Sequence, residues 1–277
     1  MNPPQLFQTL CGLSDLGGLW MEEWRLIDLE IHDAFTNMAI DEAILEARIR
    51  GLVPNTIRFY RWNPSAVSIG VHQSVYQEVN LDACKQLGVD VVRRITGGGA
   101  VYHDFEGEVT YSVIVNEDHK VVPSDVANSF IALSKGLIYA LKRLGLNARH
   151  GVFHCPSIFI GGKKISGNAQ ARRRGFILQH GTLLLKVDAD KMFTVLKVPP
   201  GKTKERMVQS VHAKVTSIYS ELKQNIDFNE VREALVEGFE KTLNVKLVPE
   251  KLTSDELKLA KKLKETKYGR KEWNFKF

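Results

Sequence analysis

The chain has 277 residues, of which 44% are hydrophobic and 25% charged, and its formal net charge is +6. That length and mix suit a globular protein with a substantial core, built as one large domain or as one domain plus an appendage. No run is long and apolar enough to span a bilayer, no internal repeat or low-complexity tract is present, and no basic helix with interleaved aromatics points to nucleic acid.

From Trp24 to Glu30 the residues alternate as in a strand. Asp33 is placed to cap a helix running to Arg48, with Phe35, Met38 and Leu45 on its apolar face. Thr56 to Arg61 and Ala66 to Gly70 read as strands separated by the Asn63-Pro64 turn signal. Leu81 to Leu87 fits a short helix ended by Gly88, and Val89 to Arg94 is a strand leading into a glycine loop. Thr110 to Asn116 returns as a strand. Val126, Phe130, Leu133, Leu137, Leu141 and Leu144 recur at helical spacing, with Ser124 or Asp125 as cap and Gly145 as stop. Ser157 to Ile160, Lys164 to Gly167 and Thr182 to Lys186 continue the sheet. Asp227 with Glu230, and Thr253 with Glu256, read as capping boxes that open two further helices, with Val245 to Val248 as an edge strand between them. Arg172, Arg173 and Arg174, like Lys202, Lys204 and Arg206, read as solvated loops. The expected division is an N-terminal extension over residues 1–22, a catalytic domain over 23–227 and a helical appendage over 228–277 packed on the same domain.

Two segments carry chemistry. The first is Arg93-Arg94-Ile95-Thr96-Gly97-Gly98-Gly99-Ala100-Val101-Tyr102-His103-Asp104. Three successive glycines cost backbone entropy, which a chain accepts where φ is positive or something approaches the main chain closely. Consecutive exposed N–H groups form a concave anion site, and guanidinium groups suit phosphate or carboxylate. The second is Gly162-Lys163-Lys164-Ile165-Ser166-Gly167-Asn168-Ala169. An ammonium beneath an acyl carbonyl or phosphate stabilises developing negative charge. Lys164 is favoured because Gly167 opens space beside it, whereas Lys163 alternates to the other face of an extended segment. Taken alone, each segment has a plain reading as a glycine-rich turn beside solvated cations.

Together the two segments resemble the lipoate–protein ligase A family and its octanoyl- and lipoyltransferase relatives, within the biotin/lipoate ligase superfamily. Supporting stretches are Asn37-Met38-Ala39-Ile40-Asp41-Glu42-Ala43, Ile57-Arg58-Phe59-Tyr60 and Gln179-His180-Gly181-Thr182-Leu183-Leu184. The likeness runs from about Trp24 to Trp273-Asn274. It implies an α+β fold of mixed, mostly antiparallel sheets packed with helices. It implies that Arg94, Gly97, Gly98, Gly99, Ala100, Val101 and Tyr102 wrap an acyl-adenylate, with the arginine on its phosphate. Lys164 holds the position of the family's catalytic lysine, touching both acyl carbonyl and phosphate. Arg93, His103, Gly167 and His180 are further candidates around the ligand, although single histidines are more often structural. The implied reaction joins lipoate or octanoate to a lysine of a lipoyl domain, as in the glycine-cleavage H protein or 2-oxoacid dehydrogenase E2. The implied cofactors are ATP with Mg²⁺ held mostly by phosphates and water. No protein metal site is expected.

The rival within the family passes the acyl group through a cysteine thioester. Cys155, in His154-Cys155-Pro156, lies just upstream of the lysine motif, and a neighbouring histidine can lower a thiol pKa. The Gly-Gly-Gly loop and the short spacing from Cys155 to Lys164 place the ATP-dependent ligase first. Biotin ligation ranks third, and a non-catalytic module binding lipoyl domains or an acyl ligand stands as the non-enzyme reading. With little chain after Trp273 for an extra C-terminal domain, activation is expected to need a small accessory subunit, or else the chain performs transfer alone. The cysteines are Cys11, Cys84 and Cys155, an odd set without metal or redox spacing. This set favours a reducing, cytoplasmic setting.

Overall fold

The computed structural model describes residues 21–151 and 157–277. In chain order the elements are β1 (Glu22–His32), α1 (Ala34–Ile49), β2 (Thr56–Trp62), β3 (Ala66–Ile69), α2 (Val75–Glu78), α3 (Leu81–Leu87) and β4 (Asp90–Arg93). Next come β5 (Val101–His103), β6 (Glu108–Asn116), α4 (Val126–Arg143), β7 (Ala148–His150), β8 (Ile158–Ile160), β9 (Lys163–Arg173) and β10 (Phe176–Leu184). The remainder is α5 (Ala189–Val195), α6 (Lys204–Lys214), α7 (Ile218–Leu222), α8 (Phe228–Leu243), β11 (Val245–Pro249), α9 (Ser254–Leu263), a π-helical turn (Lys264–Tyr268) and α10 (Lys271–Asn274).

Among the described residues an eight-stranded sheet runs β11-β1-β2-β6-β10-β9-β8-β7, and a three-stranded sheet runs β4-β3-β5. β11, β1 and β2 are parallel, and every other neighbour in the large sheet is antiparallel. In the small sheet β3 is parallel to β4 and antiparallel to β5. The fold is therefore α+β with mixed, mostly antiparallel sheets.

The alternation along each central strand decides what each face does. Ile57 and Phe59 of β2, Val109, Tyr111, Val113 and Val115 of β6, and Ile177 and Leu183 of β10 face one way, into a core closed by α4 and α8. That face is almost wholly apolar. The intervening residues Arg58, Tyr60, Thr110, Ser112 and His180 face the other way, towards α1. A sheet face with that many buried polar groups must satisfy them internally, which prepares it to serve as the floor of a site. A third cluster, of Val67, Ile69, Val75 and Cys84 among others, ties the small sheet to α2, α3 and α5.

Several local expectations differ from the structure. Asp227 caps α8 through the amide of Asn229 and makes no capping box with Glu230, whereas Thr253 and Glu256 do form one. β9 continues through Arg172 and Arg173 because carboxylates meet them. Arg172 pairs with Glu117, Arg173 with Glu42, and Arg174 at the turn with Glu46. Lys204 and Arg206 lie in α6 and not in a loop. β5, three residues long, gave no periodic signal of its own. Residues 228–277 contribute β11 to the edge of the large sheet and α8 to its apolar core.

Candidate active site

A cavity of about 250 Å³ opens between the glycine loop, β9, β10 and the helices after β10. Its wall towards the loop is Arg94, Gly98, Gly99, Ala100, Val101 and Tyr102. Opposite stand Lys164, Gly167, Asn168 and Ala169 of β9, with His180, Gly181 and Thr182 of β10. His103, Tyr60, Trp62 and Thr110 add polar and aromatic surface. Met38, Leu184, Met192, Leu196 and Val215 make the rest apolar. The two motifs, some sixty residues apart in sequence, thus face each other across one space.

Lys163 and Lys164 part as strand alternation requires. Lys164 lines the cavity, whereas Lys163 is exposed and donates to the His212 carbonyl at 3.1 Å. Gly167 leaves room for the lysine head, since a Cβ there would sit 2.9 Å from Lys164 Nζ.

The two arginines are committed elsewhere. Arg93 is fully buried and does not line the cavity. Its guanidinium donates to the carbonyls of Gly70, Val71, Gln73, Trp273 and Asn274. Arg94 lines the cavity, yet all five of its N–H donors meet protein oxygens. Nε donates to Thr96 Oγ1, Nη1 to the Ser68 carbonyl and hydroxyl, and Nη2 to the carbonyls of Gly97 and Gly99, the last two at 2.8 Å. Burial without a carboxylate partner pushes its pKa down to about 10. Arg93 thus lies away from the cavity, whereas Arg94 both lines it and holds the loop carbonyls. Gly97 also stays off the cavity wall.

Arg94 shapes the loop. It draws the Gly97 and Gly99 carbonyls to its own side, and Gly98 takes a φ of 93°, open to glycine at little cost. Among the described residues, no acceptor meets the amides of Gly97, Gly98, Gly99 or Ala100. Such a run of unpaired N–H groups is an anion-binding concavity. Gly70 permits the arrangement, because a Cβ there would lie 2.1 Å from the Gly98 carbonyl oxygen. Gly70→Ala is expected to push the loop aside, destabilising the protein by about 1–3 kcal/mol and cutting activity at least tenfold. Thermal unfolding alongside an activity assay checks this, and an unchanged Tm would sink the close-approach argument.

Beneath the loop lies a connected polar network that sequence inspection missed. Asp41 of α1 is fully buried and accepts from Arg58 Nη1 at 2.9 Å, Tyr60 Oη at 2.9 Å and Ser112 Oγ at 3.0 Å. His180 Nδ1 donates to Asp41 at 3.2 Å, and His180 Nε2 meets Thr96 Oγ1 at 2.7 Å. Thr96 joins Arg94, Arg94 joins Ser68, and Ser68 Oγ meets His103 Nε2 at 2.8 Å. His103 Nδ1 contacts Glu108 at 2.6 Å, and its ring stacks on Trp62 with centroids 4.0 Å apart. The Trp62 indole N–H donates to Thr110, which donates to Glu108. Burial lowers the His180 pKa against the pull of Asp41, so the neutral ring donates from Nδ1 and accepts at Nε2. Burial alone would raise the Asp41 pKa, but the His180 hydrogen bond and the Arg58 charge outweigh it and hold it below the usual range. Asp41 had a sequence signal after all: it is an acidic residue in register with Met38 and Leu45 on the apolar face of α1.

His154 and Cys155 lie outside the described residues. Cys84 is buried beside the small sheet, its thiol pKa pushed up to about 11 by burial, and it does not line the cavity. Among the described residues, no three His, Cys, Asp or Glu side chains form a metal-binding group, and no helix is long and apolar enough to cross a membrane.

Comparison with known proteins gives a consistent result. Residues 33–240 match the family described as lipoyl protein ligase A/B catalytic domain. The chain is 40% identical to octanoyltransferase LipM of Brevibacillus brevis, over 92% of this chain and 100% of that protein. It is similar to a solved bipartite lipoate protein ligase from Thermoplasma acidophilum, at 35% identity and a TM-score of 0.80, covering 92% of this chain and 96% of the other. It is also similar to a lipoate-protein ligase A solved with bound ATP, at 34% identity and a TM-score of 0.79, covering 91% and 98%. A glycine loop and a lysine strand that converge on one cavity, in a chain matched along most of its length, lead to one conclusion: this is an enzyme of the lipoyl protein ligase A/B catalytic-domain family.

Proposed function

We propose that the chain transfers an octanoyl or lipoyl group from a protein-bound thioester to a lysine of a lipoyl domain, with Cys155 as the intermediate acyl carrier. The sequence motifs rank the ATP-dependent ligase first. Full-length similarity to an octanoyltransferase shifts the weight to the cysteine route. The observation that carries this reading is the cavity itself. At about 250 Å³ it falls below the usual range for ligands of drug size, and its lining suits an alkyl chain with one polar end. ATP with Mg²⁺, implied by the ligase reading, finds a poor fit here. Both guanidinium groups beside the glycine loop are spent on protein oxygens, so we derive no step through a nucleotide.

In the proposed sequence the Cys155 thiolate attacks the donor thioester carbonyl. A new C–S bond forms, the old one breaks, and the donor leaves as a thiol after taking a proton. The ε-amine of the acceptor lysine then attacks the cysteine thioester. An amide forms, the thiolate is released, and the proton lost by the amine returns to it. In both halves negative charge builds on the carbonyl oxygen. The Lys164 ammonium and the open loop amides from Gly98 to Ala100 are the groups assigned to meet it. His180 and Arg94, which also line the cavity, hold the shape of the loop.

The test is a mass-shift assay on a lipoyl domain. A shift is expected with octanoylated carrier protein and no nucleotide, and Cys155→Ala is expected to abolish it. A shift that requires lipoate plus ATP and survives Cys155→Ala would establish the ligase instead.

A further inference from the structure

We infer that a basic groove beside the cavity docks the acidic protein that delivers the acyl group. The inference rests on the transferase reading above and adds a surface to it.

The groove has a volume of about 460 Å³ and lies behind β9, sharing Val215 with the cavity wall. Its cations are Lys163, Lys186 and Lys223, all exposed. Among the described residues none of the three forms an ion pair; Lys163 meets a carbonyl, and Lys186 lies 5.6 Å from the centroid of the Tyr219 ring. The one carboxylate lining the groove is Glu221, which accepts from Thr216. From Lys186 to Lys223 the chain carries eight lysines and arginines against four carboxylates, within a total formal charge of +6. α6, inside this stretch, has no buried residue, so its polar surface stays available to solvent.

The position gives the charge its meaning. The Thr216 amide donates to the Lys164 carbonyl at 2.9 Å, and Val215 bridges Lys164. The groove is thus joined through the backbone to the residue assigned to the acyl carbonyl. Lys163 and Lys164 send their heads to opposite sides of one strand, the first to the groove and the second to the cavity. A cavity of about 250 Å³ leaves a protein carrier outside. Unpaired ammonium groups at the border attract a carrier with carboxylates on its face, speeding encounter and fixing its orientation. The C-terminal helices are also rich in lysine, but they lie away from this opening: none of their residues lines the cavity.

The decisive experiment is a charge reversal, Lys186→Glu with Lys223→Glu, in the full chain. Binding of octanoylated acyl carrier protein is read by fluorescence anisotropy across a salt series. Transfer is assayed with that donor and with a small octanoyl thioester. For the variant we expect the Kd and KM for the carrier-borne donor to rise at least tenfold, a shallower salt slope, kcat within twofold and the small thioester unaffected. Lys186→Gln with Lys223→Gln should give a smaller change of the same sign. Lys261→Glu with Lys262→Glu, on α9, should change nothing. The inference fails if carrier Kd and KM stay within twofold, if the small thioester suffers equally, or if the α9 variant weakens binding as much. It also fails if only lipoyl-domain affinity changes, or if RNA or anionic vesicles occupy the groove as tightly as the carrier. Absence of transfer from every donor by the unaltered protein would instead sink the transferase reading, with binding still deciding the surface.

Discussion

Replacing Lys164 with alanine is expected to lower single-turnover acyl transfer by about 10²–10³-fold while leaving the fold intact. The ammonium enters the cavity from β9 opposite the glycine loop, where both proposed half-reactions build charge on the carbonyl oxygen. A cation held in a largely apolar space acts more strongly than the same cation in water. Lys164 is half-buried, so its removal should leave Tm within a few degrees. Lys164→Arg should fail to rescue, because a forked guanidinium does not fit the space that Gly167 leaves for a compact head. Rapid-quench transfer and thermal unfolding measured together check this. Activity within tenfold of the unaltered protein would remove the lysine from the chemistry.

The second large effect belongs to Asp41. Asp41→Asn should destabilise the protein by about 3–5 kcal/mol, a fall in Tm on the order of 10 °C. The carboxylate accepts four hydrogen bonds in a buried site, one of them from the Arg58 guanidinium. An amide keeps one oxygen but turns a donor towards groups that are themselves donors, and it leaves Arg58 without its full counter-charge. The pH dependence has a definite sign. The folded-state pKa of Asp41 is depressed, so its contribution is present above the ordinary aspartate value of about 4 and is lost as pH falls through the folded value. Asp41→Asn should therefore cost most near neutrality, and the two proteins should converge in stability as the solution turns acid. Equal acid sensitivity in denaturant titrations at neutral and acid pH would contradict the assignment. Because Asp41 reaches the loop through His180, Thr96 and Arg94, the variant should also slow transfer at temperatures where it remains folded.

How far the sequence could be read depended on the range of each interaction. Helices α1, α3, α4 and α9 follow from local signals: a cap, an apolar stripe, a stop. The two motifs were visible because glycine and lysine runs are conspicuous, and their meeting across one cavity agrees with the implied family. The roles of Arg93 and Arg94 were not visible. A guanidinium beside a glycine triplet looks the same in sequence whether it faces a ligand or holds carbonyls. The carbonyls that the two side chains hold, on Ser68, Gly70 and Trp273, come from distant parts of the chain. Gly70 looked like the end of a strand, and its function is steric, set by a loop almost thirty residues later. Thr96 and Glu108 are unremarkable alone, Asp41 shows only as an acid on an apolar helix face, and the three become a network only when their elements stack. The ion pairs that extend β9 through Arg173 likewise join partners more than fifty residues apart.

Arg93 shows what such distances mean for the glycine loop. The strand that leads into the glycine loop is held by its own amide on the Asn274 side chain, by its guanidinium on the Trp273 and Asn274 carbonyls, and by the Trp273 indole on its carbonyl. All of these partners are made some 180 residues after it. Every strand from β1 to β10 lies within residues 22–184, yet the clasp on the strand that enters the glycine loop comes only with residues 273 and 274. The shape of the glycine loop therefore leans on Trp273 and Asn274, two residues that do not line the cavity at all.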